Sequence, residues 1–328
     1  MDLDPNPKDI FVEKNFFSQE IPFEGRAAAF NNLFFNFKDN WKISFGLMLT
    51  LSVGIASLGL SEDSAATIIG AMIIAPLGQP IIALGGAIAL GWRKETFQML
   101  IVIIIGSVSA VAISFLFGAI LNDGTPNQQM LIRTSPDLRD LGIALFAGAA
   151  GAYGYYRSEY STVLAGVAIA VALVPPLCVF GLMLQAGHYI LANGSLLLFI
   201  TNFIGIAFAA ILVFFLLGMR YHRNRRWFYI GTIVVIIMGI SIIFPLALNF
   251  TKFNSMPKFQ SSIYAKAGKI FNQANNSPNI KKLTIQGTAV IITIHPFPNN
   301  ADEEIRLTRE LEKSIGLQIF LQKTSKNN

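Results

Sequence analysis

The sequence predicts an all-α polytopic membrane protein. It would have about seven transmembrane helices, a 3+3 inverted repeat, proline-broken second and fifth helices, and a small C-terminal soluble α+β domain. Three observations carry this. The 328 residues are 53% apolar and only 13% charged, against about 25% charged in a soluble domain. The mean hydropathy is +0.54. The charged residues from 43 to 251 cluster in short gaps between long charge-free runs. An ordinary soluble enzyme and a disordered chain are both excluded. One Cys excludes a disulfide framework and any Cys-built zinc or iron–sulfur site.

The first thirty residues mix acids and bases without an apolar core, which predicts no cleavable signal; residues 27–42 differ. Within them, Phe30, Leu33, Phe34, Phe37 and Trp41 recur at helical spacing ahead of Lys42. That pattern predicts an interfacial helix over 27–42 leading into the membrane. A bilayer core of about 30 Å needs roughly 20 apolar residues per helix. The charge-free runs then give spans at about 43–61, 65–91, 97–121, 140–156, 161–184, 190–218 and 228–249. The first three form one repeat (43–121), the next three another (140–218), and 228–249 is an addition.

Sidedness follows from Lys and Arg in short loops. Arg26, Lys38 and Lys42 precede the first span, Arg93 and Lys94 follow the second, and Arg157 follows the fourth. Arg220, Arg223, Arg225 and Arg226 follow the sixth. With seven spans, all of these share the cytoplasmic face of the inner membrane, and the tail is outside. The arginine cluster at 220–226 is expected to contact anionic lipid heads and is too short a patch for nucleic acid.

The tail, 250–328, carries eleven Lys/Arg and five Asp/Glu. Phe259, Ile263, Ala267, Ile270 and Phe271 fall on one helix face. Strand-like runs follow at Lys281–Gln286 and Ala289–Pro296. Asn299 to Glu303 supplies capping residues and first-turn acids for a helix to Ser314, and Leu317–Gln322 makes a last strand. The order α-β-β-α-β is similar to that of small periplasmic, lipid-associated BON-type domains.

The chemically informative residues lie in spans two and five. The second contains Ala75, Pro76, Leu77, Gly78, Gln79 and Pro80; the fifth contains Val174, Pro175 and Pro176. At an offset of 96, Gly70, Ile73, Leu77 and Pro80 fall on Gly166, Ile169, Leu173 and Pro176. Ser61-Glu62-Asp63-Ser64 precedes one and Ser158-Glu159-Tyr160-Ser161 the other. Proline removes an N–H and clashes with the carbonyl four residues back. The broken backbone survives in a membrane only where protein or water covers it. Matched broken helices in inverted repeats point to a transport site near the midplane; kinks that serve packing are the other reading.

Thr201 and Asn202 in span six either join helices by hydrogen bonds or line a pathway. Ser52, Ser57 and Ser114 are expected to pack or to bond back to their own helices. The small residues of Gly142–Gly154 allow close helix approach. Asp137, Arg139 and Asp140 suit a solvated rim or a gate. No ionisable side chain sits at mid-span, and HExxH, P-loop and GxSxG motifs are missing from the sequence, so neither an enzyme nor a cofactor is expected.

The runs Ile68–Leu77, Gly166–Leu177 and Leu198–Phe203, with the Arg133-Thr134-Ser135-Pro136-Asp137 lead-in to a Gly/Ala-rich span, resemble the hallmark stretches of a bacterial and archaeal membrane family. It is named domain of unknown function 389. The resemblance covers about 40–218, departs from the family pattern at Gln79, and implies membrane residence without an activity. The expected function is a transporter or channel-like protein for a small solute or ion, embedded in the lipid bilayer as a homo-oligomer. The alternative is a non-transporting scaffold or sensor whose tail binds a partner or envelope component.

Overall fold

Charge-free apolar sequence without proline builds the long helices, and proline ends or starts the short ones. The structure, a computed structural model, describes residues 41–121, 125–156, 173–217, 233, 256–272, 279–286, 289–295, 297–298, 301–315 and 318–323. It divides into two units, Met1–Phe244 and Pro245–Asn328.

In the first unit, α1 is Trp41–Ser61. Then come α2 (Ala65–Ile74) and α3 (Gly78–Leu90), separated by a short break and bent by 51°. Next are α4 (Arg93–Leu121), the single turn α5 (Gln128–Leu131) and α6 (Leu138–Tyr156). Last are α7 (Val174–Gln185) and α8 (Tyr189–Leu216). Among the described residues α1, α4 and α8 are long and apolar enough to cross a membrane, and the bent α2–α3 pair has the length and composition of a broken span or a re-entrant loop. Arg139 and Asp140 in the first turn of α6, with many Gly, Ala and Tyr residues, keep it less apolar; α7 has only 12 residues. The interfacial helix up to residue 40, the first part of span five and, Ile233 apart, the seventh span lie outside the described residues.

Helix boundaries recur along the chain. The starts of α1, α3 and α4 (41, 78, 93) are followed by those of α6, α7 and α8 (138, 174, 189), at spacings of 97, 96 and 96. The helix ends recur too. Gly91 ends α3 in the left-handed region (φ 72), and Gly187 follows α7 with φ 79, a conformation that glycine adopts at little cost. Trp92 N donates to Ala87 O at 2.8 Å and His188 N to Met183 O at 2.9 Å. These bonds are again 96 residues apart.

Packing between helices is tight at small residues. α6 lies along α8, where a Cβ on Gly148 would be 2.5 Å from the Ile206 carbonyl oxygen. α3 also packs on α8, and α4 on α7. A Cβ on Gly85 would lie 2.7 Å from Ala210 Cβ and 3.3 Å from Ile211 N; one on Gly181 would meet Ser114 Oγ and lie 3.0 Å from Phe115 N. Positions 85 and 181, 114 and 210, and 115 and 211 are each 96 apart. The outer surface of α4 is apolar, with Phe97, Ile101, Ile104, Ile105, Val108, Leu116 and Ile120 exposed. That surface suits hydrocarbon and not water.

The second unit contains α9 (Met256–Asn272), β1 (Asn279–Gln286), β2 (Ala289–His295), α10 (Ala301–Ile315) and β3 (Gln318–Lys323). The sheet order is β1-β2-β3. β1 and β2 pair antiparallel, and β2 and β3 pair parallel, which needs the α10 crossover. Ile263, Ala267 and Phe271 of α9 pack with Val290, Ile292, Ile294, Leu307, Leu311 and Ile319 in one core.

Candidate functional site

The first break is a chain of hydrogen-bond consequences that begins at Pro76. In an unbroken helix Pro76 would donate to the Met72 carbonyl, but proline has no N–H. Ala75, extended at φ −69 and ψ 124, turns its own N–H to Met72 O instead, at 3.3 Å. The Ala71 carbonyl then loses its donor. Ser52 of α1, fully buried, supplies one at 2.7 Å. The serine thus bonds across helices, not back to its own helix as Thr50 does with Gly46 O at 2.8 Å. A carbonyl left bare in this setting would cost about 1–3 kcal/mol.

Past the break, Leu77 is the N-cap of α3, and Gly78, Gln79 and Pro80 form its first turn. Of the two prolines of span two, only Pro76 lies in the break. Pro80 sits where a helix residue has no intrahelical acceptor for its N–H, so it helps start the helix. Val174, Pro175 and Pro176 likewise form the first turn of α7, behind the N-cap Leu173. They open a helix there, and the residues just before Leu173 lie outside the described residues. Two prolines remove two of the four orphan donors that this buried helix end would present. Neither N-cap has a side-chain hydrogen bond. Leu77, Leu173 and Val174 are buried, so both starts are closely packed.

Thr201 and Asn202 are buried midway along α8, the helix that packs against both α3 and α7. Gln79 is half-buried. α2 and α7 also touch, and α3 and α7 each border α8. Cys178 Sγ of α7 lies 4.0 Å from the Val53 carbonyl oxygen of α1, with Ser57 next to the thiol. Arg220, Arg223, Arg225 and Arg226, and the Ser158–Ser161 element, lie outside the described residues.

A polar strap over one end of the bundle was not legible in the sequence. The Asn127 side chain donates to the Leu60 and Ser61 carbonyls at the end of α1. Gln129 N donates to Asp63 Oδ1 at 2.8 Å, with Asp63 held at φ 56. Thr134 O abuts Gly194 of α8. Arg133 donates to Gln129 Oε1 at 2.9 Å. Burial pulls its guanidinium below the ordinary arginine value, while the carboxylates of Asp140 and Asp63 act against this. The Asp137 and Asp140 pair forms a reciprocal helix cap. Asp140 N donates to Asp137 Oδ1 at 2.9 Å and Asp137 N to Asp140 Oδ2 at 3.0 Å. The cap gives these acids a structural role at the start of α6.

Comparison with known proteins finds a partial match. Residues 72–208, from the last turn of α2 to the middle of α8, match the family described as a domain of unknown function (DUF389). Over 177 residues the chain is 37% identical to uncharacterized protein MJ0678 of Methanocaldococcus jannaschii. That stretch is 54% of this chain and 55% of the relative, so the chain spans about half the length of that protein. No solved structure matches.

Proposed function

We propose that this chain, which carries a DUF389 domain over residues 72–208, is a membrane transporter or channel-like protein for a small solute or ion. In this reading it has seven spans, arranged as a 3+3 inverted repeat with one added helix. It resides as a homo-oligomer in the cell membrane with its N-terminus cytoplasmic and its tail outside. The recurrence of helix starts at spacings of 96 or 97 supports the repeat. So do the duplicated caps at Gly91 and Gly187 and the equivalent contacts of Gly85 and Gly181.

The observation that carries the reading is the pair of helix starts, Leu77–Pro80 and Leu173–Pro176, placed 96 residues apart with uncapped N-termini inside the apolar bundle. Interrupted backbone at such depth has a cost, and its use is to present amide groups and helix ends to a solute. Thr201, Asn202 and Gln79 would supply side-chain contacts. The test is osmotic swelling of phosphatidylethanolamine–phosphatidylglycerol proteoliposomes in potassium chloride, glycine and sorbitol. Swelling faster than in empty vesicles, slowed by Asn202→Ala or Gln79→Ala, is the expected result. Swelling no faster than in empty vesicles for all three osmolytes counts against transport. An open groove of about 350 Å³ on α10, lined by Asp302, Ile305, Arg306, Arg309, Glu310 and Lys313, favours the second reading, in which the tail docks a partner.

A further inference from the structure

The two halves share their helix order but hold different poses. In the first half α1 packs on both α4 and α7, with Gly54 against the Phe117 ring of α4 and Val53 O 4.0 Å from Cys178 Sγ. Its counterpart in the second half, α6, touches α3 over a smaller surface. α6 is pressed on α8 instead, with Gly148 against the Ile206 backbone. Ser52, 96 residues before Gly148, bonds the Ala71 carbonyl of α2 at 2.7 Å.

We propose that α1 and α6 exchange these poses, so that the site between the two helix starts is closed alternately from one face and from the other. This rests on the transport reading above. In the exchanged state α6 leans on α3 as α1 now leans on α7, and α1 keeps α4 but leaves α7. The geometry names the contact to look for. Position 178 maps onto 82 and, at spacings of 96 or 97, position 53 maps onto 149 or 150, so the Ala149–Ala150 step should approach Ile82 while Val53 withdraws from Cys178. The two states use the same kinds of apolar contact. The exchanged pose is then expected as a minor state, on the order of 0.1–10% of molecules.

Cross-linking in lipid vesicles tests this. Val53→Cys, paired with the native Cys178, reports the present pose. Ile82→Cys with Ala149→Cys, in a Cys178→Ala background, reports the exchanged one. A membrane-permeant bis-methanethiosulfonate bridges either pair, and mass spectrometry scores the products. Because the bridge persists, a minor state accumulates with time. Both pairs should bridge, either bridge should abolish swelling, and reduction should restore it. A protein carrying all four thiols should show one bridge or the other in each molecule, and its 53–178 bridge confirms folding.

Failure of the 82–149 pair to bridge in that folded four-thiol protein, after prolonged reaction, overturns the exchange. Swelling that persists alongside this failure leaves transport standing without it. Bridging of both pairs in a protein that passes none of the three osmolytes supports the exchange and removes transport.

Discussion

The α6–α8 seam makes a quantitative test of the packing. In Gly148→Ala the new Cβ lies 2.5 Å from Ile206 O, 2.8 Å from its Cα and 3.0 Å from its carbonyl carbon. All three are backbone atoms, so no rotamer change relieves the clash, and the helices must part to regain ordinary contact. Such overpacking costs about 1–3 kcal/mol. Alanine also gains helix propensity over glycine, about 1 kcal/mol, and this must be separated out. Gly70→Ala does so, because a Cβ there meets nothing within 4 Å. The difference between the two variants is then the packing cost alone. For a unit of roughly 200 residues each kcal/mol shifts the midpoint by about 2–4 °C. Gly148→Ala should therefore melt roughly 2–12 °C below Gly70→Ala, measured by fluorescence-detected size exclusion in one detergent at one heating protocol. Equal midpoints would refute the close approach of α6 and α8.

Three further outcomes are expected. Ser52→Ala strips the donor from the Ala71 carbonyl and should lower the midpoint of the membrane unit by an amount equivalent to about 1–3 kcal/mol; an unchanged midpoint would show that the break satisfies itself some other way. Phe271→Ala, in the tail core, should cost about 3–5 kcal/mol and render 256–323 sensitive to protease while the membrane unit stays resistant; a resistant tail contradicts the core assignment. Thiols at the exposed positions Gln128→Cys and Lys313→Cys, in a Cys178→Ala background, should react with an impermeant maleimide from the same membrane face, and labelling from opposite faces rules out seven spans.

Local chemistry is readable where it acts within a few residues. Pro76 ends α2 because of its own missing N–H, and the Gly/Ala run of 142–154 includes the Gly148 contact. Pro80, Pro175 and Pro176 look like breakers in the sequence, yet they open helices. Proline breaks or begins a helix according to where the helix starts, and the start is set by the chain before it. Ser52 is out of reach for a different reason. A serine hydroxyl can bond its own helix, as Ser114 does with Val111 O at 3.1 Å, or another helix, as Ser52 does. Only the Pro76 break decides between them. The Asn127 and Gln129 strap joins residues 66 or 67 positions apart, and no short-range pattern announces such a pairing.

The duplicated turns at Gly91 and Gly187 carry a consequence for biogenesis. Their backbones are stitched alike, so shape cannot tell the insertion machinery which turn to retain and which to let through. The difference lies just downstream, with Arg93 and Lys94 after the first turn and Tyr189 and Ile190 after the second. In the inverted arrangement proposed above, these two cationic residues would assign opposite destinations to two otherwise interchangeable corners. Moving them from one corner to the other should pull the two repeats toward an upside-down insertion without disturbing either fold.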